Sequence, residues 1–259
     1  MLEWTVPSEP VIGIVGGVGP YAALDLARKI LDETAASRDQ DHLPVALLSY
    51  PSLIPDRTAF LLGETDVNPA LGILEVIADL ERLGCQVIGI PCHTAHAPAI
   101  WDVVAEGLTK RGNGVRLLHM VEEVALFVRH AFPGVTRVGV LSTVGTQRSG
   151  VYPAVLGRHG LKVVTLEDSE HRVLVHDSVY DPEFGVKAHA SPVSERARAN
   201  VLTAVERARA AAAEVVVLAC TELPLAVPEA VVGETPVLDA TRVLARALIR
   251  SAAPALLKD

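Results

Sequence analysis

The sequence predicts an α/β protein: two similar Rossmann-like lobes with parallel sheets, related by pseudo-twofold symmetry, with an active site in the cleft between them. Three observations carry this expectation. Short apolar runs alternate with segments of helical periodicity, the pattern of parallel sheets covered by helices. A strand followed by a glycine turn occurs twice, with Gly13 and Gly19 matched by Gly139 and Gly145 at an offset of 126 (139 − 13). An apolar run ending in a cysteine also occurs twice, at Cys92 and Cys220, 128 residues apart (220 − 92). Ligands of such sheets bind at the carboxyl ends of strands, so two facing lobes bring both thiols to one cleft.

In order along the chain, Val11 to Val15 reads as a buried strand. Gly16-Gly17-Val18-Gly19-Pro20 turns it into a helix with apolar residues at Leu24, Ala27, Ile30 and Leu31. Strand, glycine turn and helix suit an anion, but the spacing is not the dinucleotide fingerprint, and no cofactor is expected. Arg38 to His42 is a polar connector and Pro44 to Tyr50 a second strand. Ile54-Pro55-Asp56-Arg57-Thr58 reads as a loop with a charged pair. Val67 to Leu83 carries Leu71, Leu74, Ile77 and Leu80 at helical spacing, and Gly84 stops it. Cys85, between Leu83 and Val87, reads as a buried structural thiol. The central strand ends at Pro91, followed by Cys92-His93-Thr94-Ala95-His96.

Val115 to Met120 is a further apolar run, followed by a helix through Phe132 and a break at Pro133-Gly134. The plan then repeats. Arg137 to Leu141 leads into Ser142-Thr143-Val144-Gly145-Thr146, and Leu161 to Leu166 reads as a strand. Glu167 to Tyr180 is acidic and helical toward its end, with His171, His176 and the later His189 expected in solvent. Asp181 to Gly185 is a turn, with Lys187 just beyond it. Ser194 to Ala213 is an Ala/Arg-rich helix, and Val215 to Ala219 delivers Cys220-Thr221-Glu222. Val237-Leu238-Asp239 echoes Leu117-Leu118-His119 at an offset of about 120 and leads into a closing helix. The expected division is a first lobe over 1–116, a second over 117–233, and a closing strand and helix over 234–259 that pack back on the first lobe.

Half of the 259 residues are hydrophobic, enough for a sizeable core. The net charge of −8, without a Lys/Arg block, excludes nucleic acid and anionic membrane as main partners. Three cysteines are no disulfide framework. Met1 to Pro10 has no signal pattern, and no apolar run approaches the roughly 18 residues of a membrane helix. Together these read as a soluble cytoplasmic enzyme in a reducing compartment.

Two thiols across a cleft suit proton transfer at carbon. One, as thiolate, takes a proton from one face; the other, as thiol, returns one to the opposite face, and the centre inverts without a cofactor. A cysteine pKa near 8.5 leaves both roles within reach of a modest shift. Cations must hold the carboxylates and spread the carbanion charge; Arg57 and Lys187 are the candidates, one from each lobe. Thr94, Thr143 and Thr221 can donate hydrogen bonds to a carboxylate. A partly protonated His93 would favour a thiolate at Cys92, while Glu222 would disfavour one at Cys220, making Cys92 the more acidic thiol. Cys92, His93 and His96 lack a further cluster to complete a metal site, so no metal is expected, and His96 reads as a structural hydrogen-bonding histidine.

The combination of Gly16-Gly17-Val18-Gly19-Pro20, Arg38 to His42, Ile54 to Thr58, Pro91 to His96, Gly145-Thr146, Tyr180 with Lys187, and Cys220-Thr221-Glu222 resembles the cofactor-independent aspartate/glutamate racemase superfamily, most closely its aspartate racemase branch. The resemblance implies PLP-independent racemisation of an acidic amino acid by Cys92 and Cys220 and a homodimer. It also implies that Arg57 and Lys187 hold the distal carboxylate. Three features depart from the family pattern: His93 stands where the family has an Asn that binds the amino-acid head, Val18 replaces a Met, and two extra residues separate Tyr180 from Lys187. The alternatives are a racemase of a different amino acid, or maleate isomerase or hydantoin racemase chemistry. Keeping both cysteines speaks against a single-thiol decarboxylase and a non-catalytic binding protein, and the lack of C-x-x-C against a disulfide enzyme.

Overall fold

The computed structural model describes residues 9–112 and 114–259. The first eight residues of the Met1 to Pro10 stretch, and Asn113, lie outside the described residues.

The first sheet is built from β1 (Val11–Gly16), β2 (Val45–Ser49), β3 (Cys85–Gly89) and β4 (Arg116–Leu118), all parallel, in the order β2-β1-β3-β4. The second holds β5 (Arg137–Ser142), β6 (Lys162–Val164), β7 (Val215–Ala219), β8 (Val231–Val232) and β9 (Thr235–Asp239), in the order β6-β5-β7-β9-β8. Its strands are parallel except for the edge strand β8, antiparallel to β9. Setting β1 on β5, β2 on β6, β3 on β7 and β4 on β9 superposes the two orders, so the repeat seen in the sequence is a repeat of topology. The middle strands β1 and β7 are buried at every residue, as strands covered on both faces must be.

Helices cover both faces. α1 (Pro20–Glu33) starts with Pro at its first turn, where the missing N–H costs nothing. α3 (Ala70–Arg82) ends at the expected glycine, Gly84, in the left-handed region at φ 84°. With α4 (Pro98–Arg111), α3 buries the outer face of the first sheet through Ile73, Ile77, Leu80 and Ile100. On the second sheet, α10 (Glu195–Ala210) does the same through Val201 and Val205.

The inner faces share one core. Ile12 and Ile14 of β1, Val138 and Val140 of β5, and Val217 of β7 belong to one buried cluster. Also in that cluster are Val124 of α5 (Met120–Ala131), Tyr152 of α7 (Val151–Arg158), and Leu244 and Leu248 of α12 (Ala240–Ala252). α12, although last in the chain, packs on α1, α5 and β3. Arg246 reaches Glu33 at 2.5 Å and Arg250 reaches Glu123 at 2.7 Å. The position 116/117, where the first lobe was expected to end, falls inside β4, and β9 of the expected closing segment joins the second sheet.

Two expectations are corrected. Ile54 to Thr58 is not wholly a loop: Asp56 caps α2 (Arg57–Leu61), its side chain accepting from the Ala59 N–H at 2.8 Å instead of pairing with Arg57. The segment after Glu167 is helical throughout, as α8 (Asp168–His171), a π turn (Arg172–His176) and α9 (Asp177–Tyr180). Its packing on α10 and β5 buries His171 and half-buries His176, so only His189 is exposed as expected.

Candidate active site

The cleft lies at the carboxyl ends of β1, β3, β5 and β7. It is lined by Val18, Arg57, Thr58, Cys92, His93, Thr94, Thr143, Thr146, Tyr180, Lys187, Cys220, Thr221 and Glu222, around about 330 Å³ of empty space. All nine side chains singled out from the sequence are therefore neighbours, although they come from both halves of the chain.

Each thiol leaves its strand by a short turn. The Cys92 N–H bonds the Ile90 carbonyl at 2.8 Å, and His96 Nδ1 bonds the Cys92 carbonyl at 2.8 Å, which fixes the backbone of the first. A single 3₁₀ turn, His93–His96, follows Cys92. Cys220 directly follows β7 and precedes the short helix α11 (Leu223–Ala226). Neither thiol stands at a long helix's N-terminus, so the nearby side chains set their electrostatics.

Those surroundings differ. Arg57 is buried; one nitrogen donates to the Val18 carbonyl and another to the Pro55 carbonyl at 3.1 Å. Burial opposes its charge, but Cys92, Asp56 and Tyr180 outweigh that and raise its pKa. Its Nε is buried without a hydrogen-bond partner among the described residues. Cys220 instead faces an anion: its thiol donates to Glu222 Oε2 at 3.0 Å. Burial first, then Glu222, holds the Cys220 pKa well above the usual thiol range, keeping it protonated. Glu222 also accepts from Thr221 Oγ1 at 3.2 Å and pairs with Lys187 Nζ at 3.0 Å. Burial would raise its pKa, but Lys187 and the Cys220 and Thr221 hydrogen bonds lower it below the usual carboxylate value. Lys187, expected as a free substrate cation, is thus already paired. Its ammonium lies 5.3 Å from the centre of the Tyr180 ring, and burial pushes the Tyr180 pKa up to about 12.

The expectation for His93 is corrected. Burial pushes its pKa down to about 3, so the ring is neutral and cannot act on Cys92 as an imidazolium. The cation beside Cys92 is Arg57.

Hydrogen bonds tie the lobes across the cleft: Thr94 Oγ1 to Thr146 Oγ1 at 2.8 Å, Tyr152 Oη to His93 Nδ1 at 2.9 Å, and Thr58 Oγ1 to Tyr180 Oη at 3.2 Å. Thr143, which caps α6 (Val144–Ser149), joins the threonine pair at 3.2 Å. Among the described residues, no group of three or more His, Cys, Asp or Glu side chains is placed to hold a metal.

Comparison with known proteins shows the family. Residues 15–248 match the Asp/Glu/hydantoin racemase family. The chain belongs to that family. It is an isomerase of the racemase type. The chain is 25% identical to the broad-specificity amino-acid racemase RacX of Bacillus subtilis (strain 168), across 92% of this chain and 96% of that one. An aspartate racemase of Picrophilus torridus superposes with a TM-score of 0.77 at 28% identity, covering 94% of each chain. An aspartate racemase homologue from Pyrococcus horikoshii shares the fold, with a TM-score of 0.70 at 24% identity, over 93% of this chain and 98% of the other.

Thr58, Thr146, Tyr180 and Glu222 also line this racemase's cleft, and sequence reasoning gave none of them a substrate-binding or catalytic role. Glu222, two residues past a strand-end cysteine, carried a local signal. Thr58 did not: its neighbour across the cleft, Tyr180, is 122 positions away.

Proposed function

We propose that this racemase interconverts the enantiomers of an acidic amino acid, aspartate foremost, without a cofactor, using Cys92 and Cys220 as its acid/base pair. The observation that carries this reading is the asymmetry of the two thiols: equivalent strands present both to one cleft, with a guanidinium beside Cys92 and a carboxylate holding Cys220 protonated. Cys92, acting as the base in its thiolate form beside Arg57, takes the Cα proton. The electron pair left on carbon delocalises into the substrate carboxylate. Cys220 then gives its proton to the opposite face of Cα. The products are the inverted amino acid, a Cys92 thiol and a Cys220 thiolate whose charge Lys187 compensates. Arg57, with its free Nε, binds one carboxylate in a bidentate or forked manner, while Thr94, Thr143 and Thr221 and the His93 ring contact the other end of the substrate beside Val18.

A wider amino-acid range is the second reading. It is favoured by the Lys187–Glu222 pairing, which leaves Arg57 as the one lining cation without a carboxylate partner among the described residues, and by the broad specificity of the Bacillus relative. Homodimer formation and cytoplasmic residence remain expectations of the family resemblance and the sparse cysteines. The test is to incubate enzyme dialysed against chelator with single-enantiomer aspartate, glutamate, neutral amino acids, maleate and a hydantoin, and to read products by chiral chromatography. Turnover of aspartate and glutamate alone supports the first reading; comparable turnover of neutral amino acids supports the second; maleate or hydantoin turnover alone, or dependence on added metal, contradicts both.

A further inference from the structure

We propose that Tyr152 is a positioning residue that fixes neutral His93 with its proton on Nε2, so that the cleft offers the substrate carboxylate a dedicated N–H donor there. The inference rests on the racemase reading above for the identity of the ligand, and on the hydrogen-bond inventory for the tautomer.

Tyr152 is on α7 of the second lobe and His93 follows the catalytic strand of the first. Both are buried, 2% and 3% exposed, and their polar atoms meet at 2.9 Å. The Tyr152 hydroxyl has no other hydrogen-bond partner among the described residues. His93 Nε2 is buried with no hydrogen-bond partner among the described residues. His93 lines the cleft and Tyr152 does not, and the Nδ1 edge of the ring is the one that Tyr152 occupies. Burial holds His93 near pKa 3 and raises Tyr152 well above its ordinary value, so near neutrality the pair contains one imidazole proton and one phenol proton.

Two arrangements of those protons are possible. If Nδ1–H donated to the tyrosine oxygen, the phenol proton would be a buried donor without an acceptor, and Nε2 a bare lone pair. If the phenol donates to Nδ1, the tyrosine is satisfied and a single group, Nε2–H, is left open. Buried polar groups are paired wherever the inventory allows, which selects the second. The remaining N–H then gains a partner only when an acceptor enters the cleft. A ring held this way can donate but not accept, so it selects a carboxylate oxygen and not an ammonium.

The test uses the intact enzyme labelled with ¹⁵N-histidine. Long-range ¹H–¹⁵N correlation spectra should show His93 as the Nε2–H tautomer, and Tyr152→Phe should shift it toward Nδ1–H or a mixture. In the same variant KM for the acidic amino acid should rise about three- to tenfold, the range for one lost hydrogen bond, with kcat changing less because the contact persists from ground state to transition state. An Nδ1–H tautomer in the unsubstituted enzyme overturns the proposal without any variant, so a misfolded Tyr152→Phe protein does not protect it. A KM unmoved while the tautomer changes also overturns it. An enzyme inactive on every acidic amino acid, with His93 still Nε2–H, would instead overturn the substrate assignment alone.

Discussion

Replacing Glu222 by Gln tests the origin of the thiol asymmetry. In the native site the carboxylate accepts from the Cys220 thiol at 3.0 Å and stands between it and Lys187, also at 3.0 Å. Two like unit charges about 4 Å apart repel by about 4 kcal/mol at an effective dielectric of about 20. Lys187 offsets part of that, so removing the carboxylate charge should favour the Cys220 thiolate by about 1.5–3 kcal/mol, a ten- to hundredfold larger ionised fraction. The assay is site-resolved iodoacetamide alkylation, followed by mass spectrometry across a pH series. Wild-type Cys220 should react only at high pH and more slowly than Cys92. Glu222→Gln should speed alkylation of Cys220 by ten- to hundredfold at fixed pH and leave Cys92 nearly unchanged. Racemisation should fall, because the donor thiol is no longer held protonated. Native-like thermal melting separates this from unfolding, since Lys187 loses its partner. Unchanged alkylation of Cys220 would refute the electrostatic account of its protonation.

Arg57→Ala should lower kcat/KM for aspartate at least thirtyfold, the low end of the about 2–5 kcal/mol lost with a buried carboxylate's charged partner. Arg57→Lys should recover little of it, for lack of the fork; steady-state kinetics with unchanged kcat/KM would remove Arg57 from substrate recognition. Acid should destabilise the fold before its carboxylates titrate. Burial lowers the pKa of His93, to about 3, and of His96, His119 and His171. The unfolded chain therefore binds more protons than the native one below about pH 6.5, and stability complete above that value falls as pH drops toward 3, by up to roughly 4–5 kcal/mol from His93 alone. A Tm that is flat or rising from pH 7 to pH 5 contradicts this. Gly145→Ala should destabilise by about 1–3 kcal/mol, because the new methyl would lie 2.7 Å from Thr58 Oγ1 where α6 meets α2; chemical denaturation with an unchanged midpoint would show that the lobes yield more easily than their contacts imply.

Much of this molecule was legible in its sequence because the signals are local. Val11 to Val15, Val87 to Ile90 and Val215 to Ala219 are apolar runs short enough to be strands, and each ends in a glycine turn or a cysteine. The duplicated spacing then fixes which strand ends face each other. Arg57 was legible as a cation near such an end. Contacts made by folding were not. Tyr152 carries no local signal, and only the fold brings it to His93, 59 residues away. Lys187 looked free because its partner, Glu222, lies 35 positions downstream. The charge state of His93 was misread for the same reason: burial on all sides, which no neighbouring residue announces, outweighs any nearby acid. His171 was placed in solvent because its neighbours are acidic, yet the π turn after it rotates Val175 and Val179 into the core and takes His171 with them.

The central claim is that Cys92 and Cys220 together invert an acidic amino acid, each serving one face. Its most direct test is solvent deuterium incorporation from each enantiomer of aspartate, followed by NMR and chiral chromatography, with wild type, Cys92→Ser and Cys220→Ser. The account predicts α-deuterated, inverted product from both enantiomers with wild type. With either serine variant, racemisation should fall by at least several hundredfold, and any residual α-exchange should be confined to the single enantiomer that the surviving thiolate faces. Racemisation at near wild-type rate by either variant, or equal exchange of both enantiomers by one thiol, would contradict it.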